Sequence, residues 1–311
     1  MVKEDINYNF KGISYDMDMK ATIGAIHRSD DLYSQGWIGM IDDVRIYNRT
    51  LNEAEVAALY ELESAPPAPE FDSSNGLVAY YPLNGNANDE SGNGNHGEVN
   101  GATLAEDRKG VEEASYELNG KDDYINIGKV GDFKEVLNGD FSFSAWFNNS
   151  KEIHGLIFDS MSENKGFTVG VEHGDLIVKL RGSAGESNGT SFVIDGKNVH
   201  DGKWHSIIFS RTKGGENVLY FDGENLGSRQ DTVGQVDNPV DHPVSLGANL
   251  EGDQSAGRTY FEGRIDDVRI YNRALSNDEV LALYELEKPL LPADLIPPVI
   301  TLAGEDDVTL E

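Results

Sequence analysis

The sequence contains no cysteine, which excludes disulfides, thiolate metal sites and a cysteine nucleophile outright. It lacks any apolar run approaching the ~20 residues that a membrane-spanning helix requires, so membrane insertion is not expected. Its opening, MVKEDINYNF, also lacks the apolar core of a secretory signal, and any export signal is expected outside this chain. Positive charge is scarce: 25 Lys and Arg stand against 55 Asp and Glu, a formal net charge of -30. Phosphate backbones are met by clustered positive charge, so nucleic acid is not an expected partner.

What is abundant points elsewhere. The chain carries 34 glycines and many Asn and Asp among short apolar runs, with 38% hydrophobic residues. That pattern predicts short strands joined by turns, an all-β class with enough apolar material for a core. The acidic excess suits calcium, a cationic partner or a salty medium, or simply keeps the surface soluble.

The sequence repeats itself. IDDVRIYNR at Ile41–Arg49 returns unchanged at Ile265–Arg273, and over 41–63 and 265–287 the two copies agree at 18 of 23 positions. Val44 and Ile46 alternate with polar neighbours, as do Val268 and Ile270, which predicts a half-buried strand in each copy. A helix is predicted next. Ser276 and Glu279 have capping-box spacing and Leu275 and Val280 occupy the hydrophobic-staple positions; Asn52, Glu55, Leu51 and Val56 repeat the arrangement.

Proline-bearing stretches follow each copy, SAPPAPEFDSS up to residue 74 and KPLLPADLIPP over 288–298, and read as semi-rigid spacers. Each copy therefore closes a domain. The predicted organisation is 1–64 as the closing part of a first domain, 65–74 as a linker, 75–287 as a complete second domain, 288–298 as a linker, and 299–311 as the start of a module resembling an Ig-like repeat. Alternating runs such as DYINIG, FSFSAWF, FTVGVE and WHSIIFSR between Gly, Asn and Asp argue for a sandwich or jelly roll over 75–287. Residues 1–64 hold too little for a whole domain of that kind, so they are expected to be unstable or sticky alone.

The motifs GLVAYYPLNGNANDESGNGNHGEV, ELNGKDDYINIG, FSFSAWF, DGKWHSIIFSR, LYFDG and FEGRIDDVRIYNRALSNDEV occur in order across 75–287. With them the segment resembles a laminin-G-like domain of bacterial type, among the concanavalin A-like lectin/glucanase jelly rolls. The resemblance implies an all-β jelly-roll sandwich with one short C-terminal helix per domain. It also implies a noncatalytic module of a larger secreted or cell-surface protein, binding a glycan or an extracellular protein, with a structural calcium ion.

The loop Asn84–Gly97 is dense in side-chain oxygens, and calcium takes six to eight oxygen ligands in flexible geometry. Strand alternation places Asp266 on the face of Val268 and Ile270, where an inward carboxylate needs a cation or donors to offset desolvation. The resemblance brings Asp89 and Asp266 to one Ca2+, with Asn93 and a carbonyl near His96 as supplements. Asp42 is then the counterpart of Asp266 without a partner loop.

Enzyme-like motifs are present but out of context. GNGNHG at 92–97 has no strand before it or helix after it, and GESNG at 185–189 lacks a strand-turn-helix setting. Glucanases of this jelly-roll type carry E-x-D-x-x-E or a longer form on one strand. EGDQSAG at 251–257 lacks the last acid, and EDDVTLE at 305–311 lies beyond the second linker. HDGKWH at 200–205 reads as a turn entering a strand rather than a zinc site, and Trp146 and Trp204 read as core. No enzymatic activity is expected. The rivals to a binding module are a structural spacer in a surface stalk and, less favoured, a glycoside hydrolase.

Overall fold

The computed structural model describes residues 44–47, 49–64, 71–151, 154–182, 189–194, 196–236, 238–250 and 259–289. The chain divides into two compact units: Pro66–Leu290, and Met1–Ala65 with Leu291–Glu311. The motifs EGDQSAG and EDDVTLE and the Ig-like start lie outside the described residues, as do Asp42 and all but the last residue of GESNG.

In the first unit one helix, α1 (Glu53–Ser64), is described. Its cap is the predicted one: Asn52 N–H donates to Glu55 Oε2 at 2.8 Å, and Glu55 N–H donates to Asn52 Oδ1 at 2.9 Å. The predicted strand is not found at 44–47, and Val44 and Ile46 stand exposed. A strand needs a neighbour to pair with, and none of the described residues supplies one here.

The second unit is a two-layer sandwich. Its strands run β1 (Leu77–Tyr81), β2 (Glu98–Asn100), β3 (Thr103–Ala105), β4 (Ser115–Asn119) and β5 (Tyr124–Lys129) before a helix, α2 (Val130–Leu137). Next come β6 (Phe141–Asn148), β7 (Gly155–Asp159), β8 (Gly166–Glu172), β9 (Asp175–Arg181) and β10 (Gly189–Ile194). The chain closes with β11 (Trp204–Arg211), β12 (Glu216–Phe221), β13 (Glu224–Gln230), β14 (Pro243–Leu246), β15 (Glu262–Tyr271) and α3 (Asn277–Glu287). One sheet has the order β13-β12-β11-β6-β15-β4-β3 with β1 also on β15, and the other is β10-β9-β8-β7-β14-β5-β2. All pairings are antiparallel, as an all-β jelly roll requires.

The core lies between the sheets, where alternate residues of each strand meet. Phe141, Phe143 and Phe209 from one layer pack on Phe158 and Phe167 from the other, with ring centroids 4.9 Å apart for Phe143–Phe158 and 5.1 Å for Phe141–Phe167. A second cluster lies on the outer face of the eight-stranded sheet, where α3 lays Val280 and Leu283 on Ile208, Tyr220 and Tyr271. The predicted capping box holds α3: Ser276 N–H donates to Glu279 Oε2 and Glu279 N–H to Ser276 Oγ. The staple residues Leu275 and Val280 are both buried in that cluster. Helix α2 was not anticipated, although Val130, Phe133, Val136 and Leu137 are spaced for one buried helical face.

Candidate ligand-binding site

The strand carrying IDDVRIYNR does not alternate regularly. A bulge interrupts its pairing with β6 between Asp266 and Arg269, and Asp267 takes a left-handed backbone with φ of +42°. Ile265, Val268 and Ile270 therefore all enter the inter-sheet core. Asp266 lies opposite Trp146, with its back to that core. The expectation that Asp266 shares a face with Val268 and Ile270 is thus corrected, and the extra bulge residue is the reason.

The donor that this buried carboxylate requires is a protein group. Arg108, on the loop between β3 and β4, donates from Nη1 to Asp266 Oδ2, from Nη2 to Asp267 Oδ2 at 2.5 Å and from Nε to the Glu287 carbonyl at 2.5 Å. Its guanidinium also lies 4.8 Å from the Trp146 ring centroid. Trp146 Nε1 donates to Glu287 Oε2 at 2.8 Å and its ring stacks on Tyr284 at 5.7 Å. Tyr80 donates its hydroxyl to Asp267 Oδ1 at 2.6 Å, while Arg269 covers the Tyr80 ring at 3.9 Å and pairs with Glu287. Burial first, and then the Asp267 carboxylate, push the Asp266 pKa upward against the pull of Arg108. Burial also raises the Tyr80 hydroxyl, keeping it a neutral donor.

The loop 84–97 is organised around Asp89. Asp89 Oδ1 accepts from the backbone N–H of Tyr80 at 3.0 Å and of Ser91 at 2.9 Å, and Oδ2 accepts from Asn95 N–H at 2.9 Å. Burial works to raise its pKa, but these hydrogen bonds outweigh it and the net shift is downward. Asn93 donates from Nδ2 to the Leu77 and Val78 carbonyls, and His96 Nδ1 accepts from Asp89 N–H.

Asp89 and Asp266 thus have separate partners. Asp89 retains about one of its roughly four acceptor directions, whereas Asp266 already has a guanidinium on its carboxylate. A shared cation does not fit Asp266 as it stands, because Arg108 occupies the position of the counter-charge. Among the described residues no group of three or more His, Asp or Glu is arranged to hold a metal ion.

A cavity of about 570 Å³ opens where these parts meet. Asn84 and Gly85 of the first loop form one wall, Asp107 to Lys109 and Val111 to Ala114 another, and Tyr80, Asp266 and Asp267 reach it from the strands. Its size falls in the range of small-molecule sites, about 300–1,000 Å³. Of the residues predicted from sequence, Asp266 lines it; Asp89, Asn93 and His96 stand in the loop that begins at its wall. Arg108, Tyr80 and Asp267 were missed. The only trace of them in the sequence is the demand for a donor made by two adjacent aspartates in a strand.

HDGKWH forms the predicted turn into β11. There His205 Nδ1 pairs with Asp222 at 2.8 Å and Nε2 with Asp201 at 3.2 Å, an arrangement that holds the ring in place and offers no open metal position. Trp146 is buried, under α3 rather than between the sheets, and Trp204 is half-buried.

Residues 119–281, just over half of the chain, match the family model described as the concanavalin A-like lectin/glucanases superfamily, of laminin-G type. No curated protein matches the sequence. Among solved structures, the binding domain of Paraclostridial Mosquitocidal Protein 1 aligns with a TM-score of 0.58 at 19% identity, covering 74% of this chain and 57% of that one. The binding domain of botulinum neurotoxin DC in complex with rat synaptotagmin II aligns at 0.54 with 14% identity, covering 68% and 52%. A botulinum neurotoxin type C structure, described by a dependence of cell entry on two ganglioside molecules, aligns at 0.54 with 16% identity, covering 68% and 51%. At these identities the likeness is one of fold, and the chain spans little more than half the length of those it matches.

Proposed function

The chain belongs to the concanavalin A-like lectin/glucanases superfamily, and from that membership we propose that it is a noncatalytic binding module of a secreted or cell-surface protein, taking a glycan or an extracellular protein as ligand. The observation that carries this reading is the cavity of about 570 Å³, whose floor is a charge network in which Arg108 holds Asp266 and Asp267 and whose walls are polar loops. Rigid floor and variable loops are the usual build of a recognition site. Two of the toxin structures of similar fold are binding domains, one of them in complex with a protein, and a third is described by a dependence of cell entry on two ganglioside molecules.

The lining favours a neutral or cationic ligand. It carries five acids (Asp107, Glu112, Glu113, Asp266 and Asp267) against two bases, and the base Arg108 is consumed within the floor. An acidic glycan would meet like charge there. Glycosidase chemistry requires a carboxyl pair free to act on a glycosidic bond. Asp266 and Asp267 are instead engaged by Arg108 and Tyr80, which supports a noncatalytic reading.

A calcium ion is proposed for the loop 84–97 alone, with Asp89 as the charged ligand and Asn93 and the His96 carbonyl as supplements; Asp266 is left out because of Arg108. The support is the concentration of side-chain oxygens in that loop.

A glycan array and calorimetry on the whole chain, with and without chelator, test the binding proposal. Saturable binding weakened by Glu112→Ala or Lys109→Ala supports it. No binding at millimolar ligand favours the alternative, a spacer in a repetitive stalk.

A further inference from the structure

A second cavity, of about 330 Å³, opens on the same sandwich outside the site described above. It lies over the N-terminal half of β15. Ile265 enters the inter-sheet core, so Arg264 before it and Asp266 after it both face outward. Arg264 is the cross-strand neighbour of Glu117 on β4 and of Asn148 on β6, and all three line the cavity. Glu262 joins them from β15, and Lys151 and Gly202 join from the loops after β6 and before β11. The volume is again that of a small-molecule site.

The two cavities are neighbours on one strand. Arg264 lines the second and Asp266 the first, and two strand steps put their Cα atoms about 6.6 Å apart. Arg264 also stands between them: its Nη1 donates to the Glu106 carbonyl at 3.3 Å, and Glu106 leads directly into Asp107 on the wall of the first cavity. From Glu262 to Asp267, β15 passes beneath both cavities over roughly 16 Å. A ligand that reaches both is elongated, and longer than a single sugar ring.

The lining of the second cavity selects the chemistry. Lys151 pairs with Glu262, and Arg264 Nε lies 3.7 Å from Glu117 Oε2, so acids and bases balance and the wall offers fixed donors and acceptors without net charge. That suits an uncharged ligand rich in hydroxyls. None of the described residues lining it carries an apolar side chain, and a protein partner would find no pocket for the buried apolar or aromatic anchor on which such interfaces depend. A peptide cannot add as a strand either, because β15 is already paired with β4 on one edge and β6 on the other at 264–265.

We infer that the two cavities are subsites of one groove along β15, and that its ligand is a linear, uncharged oligosaccharide whose units occupy both; this narrows the ligand of the binding reading above, on which it rests. Arg264, between the subsites, is placed to hydrogen-bond units on either side of it. A second subsite reached through the same ligand adds affinity as an intramolecular contact.

 

Calorimetry of the full chain with cello-, xylo- and chito-oligosaccharides, each from monosaccharide to hexasaccharide, tests this. In at least one series the affinity is expected to climb by about tenfold or more between monosaccharide and tetrasaccharide and then level off. Ser150 lines the second cavity from an exposed position, and Lys151 beside it is exposed too. Ser150→Tyr, which fills that cavity, and Lys151→Ala, which unbalances it, should each remove the gain with length and leave the monosaccharide affinity unchanged. Glu112→Ala, on the wall of the first cavity, should weaken every length. Affinity that is flat with length, or a gain that survives both Ser150→Tyr and Lys151→Ala, overturns the shared groove while the binding reading stands. Failure of every oligomer to bind overturns the groove as well, and the glycan array then judges the binding reading separately.

Discussion

Arg108 and Asp266, 158 positions apart in sequence, form a buried ion pair whose side chains are 1% and 2% exposed. The pair ties the β3–β4 loop to the bulge of β15, and through the Glu287 carbonyl it also ties both to the end of α3. A buried carboxylate that loses its only strong donor is left uncompensated, whereas replacing both partners removes the problem along with the bond.

Arg108→Met is therefore expected to cost about 3–5 kcal/mol, because it strands Asp266 and Asp267 together. For a domain of this size that lowers Tm by roughly 6–20 °C. Adding Asp266→Leu should recover part of the loss. Thermal melts of the two variants check this, and equal melting points for Arg108→Met and the unaltered chain would refute it.

His205 makes stability depend on pH. Burial alone would lower its pKa, but Asp222 and Asp201 outweigh burial and the net shift is upward from 6.5. A raised folded-state pKa contributes stability that is fully present below the unfolded value and is lost as pH rises through the folded one. The Tm gap between the unaltered chain and His205→Gln should be widest below the ordinary value of 6.5 and should narrow as pH rises past the raised folded-state value. A gap that is constant across this range would count against the ion pairs.

The two helix caps should behave differently. Ser276→Ala removes a cap on a helix packed against the sandwich and is expected to cost about 0.5–2 kcal/mol. Asn52→Ala belongs to the other unit and should leave the melting of the sandwich unchanged. Calorimetry of both variants measures the contrast.

Calcium binding at the loop 84–97 should stabilise the chain by roughly 1.4–2.7 kcal/mol at ten to a hundred times its dissociation constant. Asp89→Ala should abolish the increment. Asp266→Asn should leave the increment in place, which separates a loop site from one shared by both aspartates. Melts with calcium and with chelator decide between these outcomes.

Substitutions on the cavity wall should affect ligand and not fold. Glu112 and Lys109 are exposed, and exposed positions usually shift stability by less than about 0.5 kcal/mol. Glu112→Ala and Lys109→Ala are expected to weaken ligand binding with Tm unchanged, as calorimetry and melts on the same samples would record.

Much of the fold was legible in the sequence because its signals are local. Alternation in FSFSAWF and WHSIIFSR marked β6 and β11, and Ser276 with Glu279 marked the start of α3, since a capping box is satisfied within four residues. Helix α2 went unread because its single apolar face spans only eight residues between two strands. Asp89 was legible as the centre of its loop, but its partners are the N–H groups of that loop and of Tyr80, which composition does not reveal.

By itself the sequence determined the all-β class, the repeated closing element, its capped helix and the scarcity of positive charge, because each depends on neighbouring residues or on totals. Tertiary structure alone decided the rest. The bulge at Asp266 turned one carboxylate away from the core, since a single added residue reverses the period-2 alternation of a strand. Arg108 reached that carboxylate across 158 positions, a distance over which no local pattern carries information. The same nonapeptide gave a buried strand in one place and no strand at 44–47 in the other, because a strand exists only where another strand satisfies its backbone.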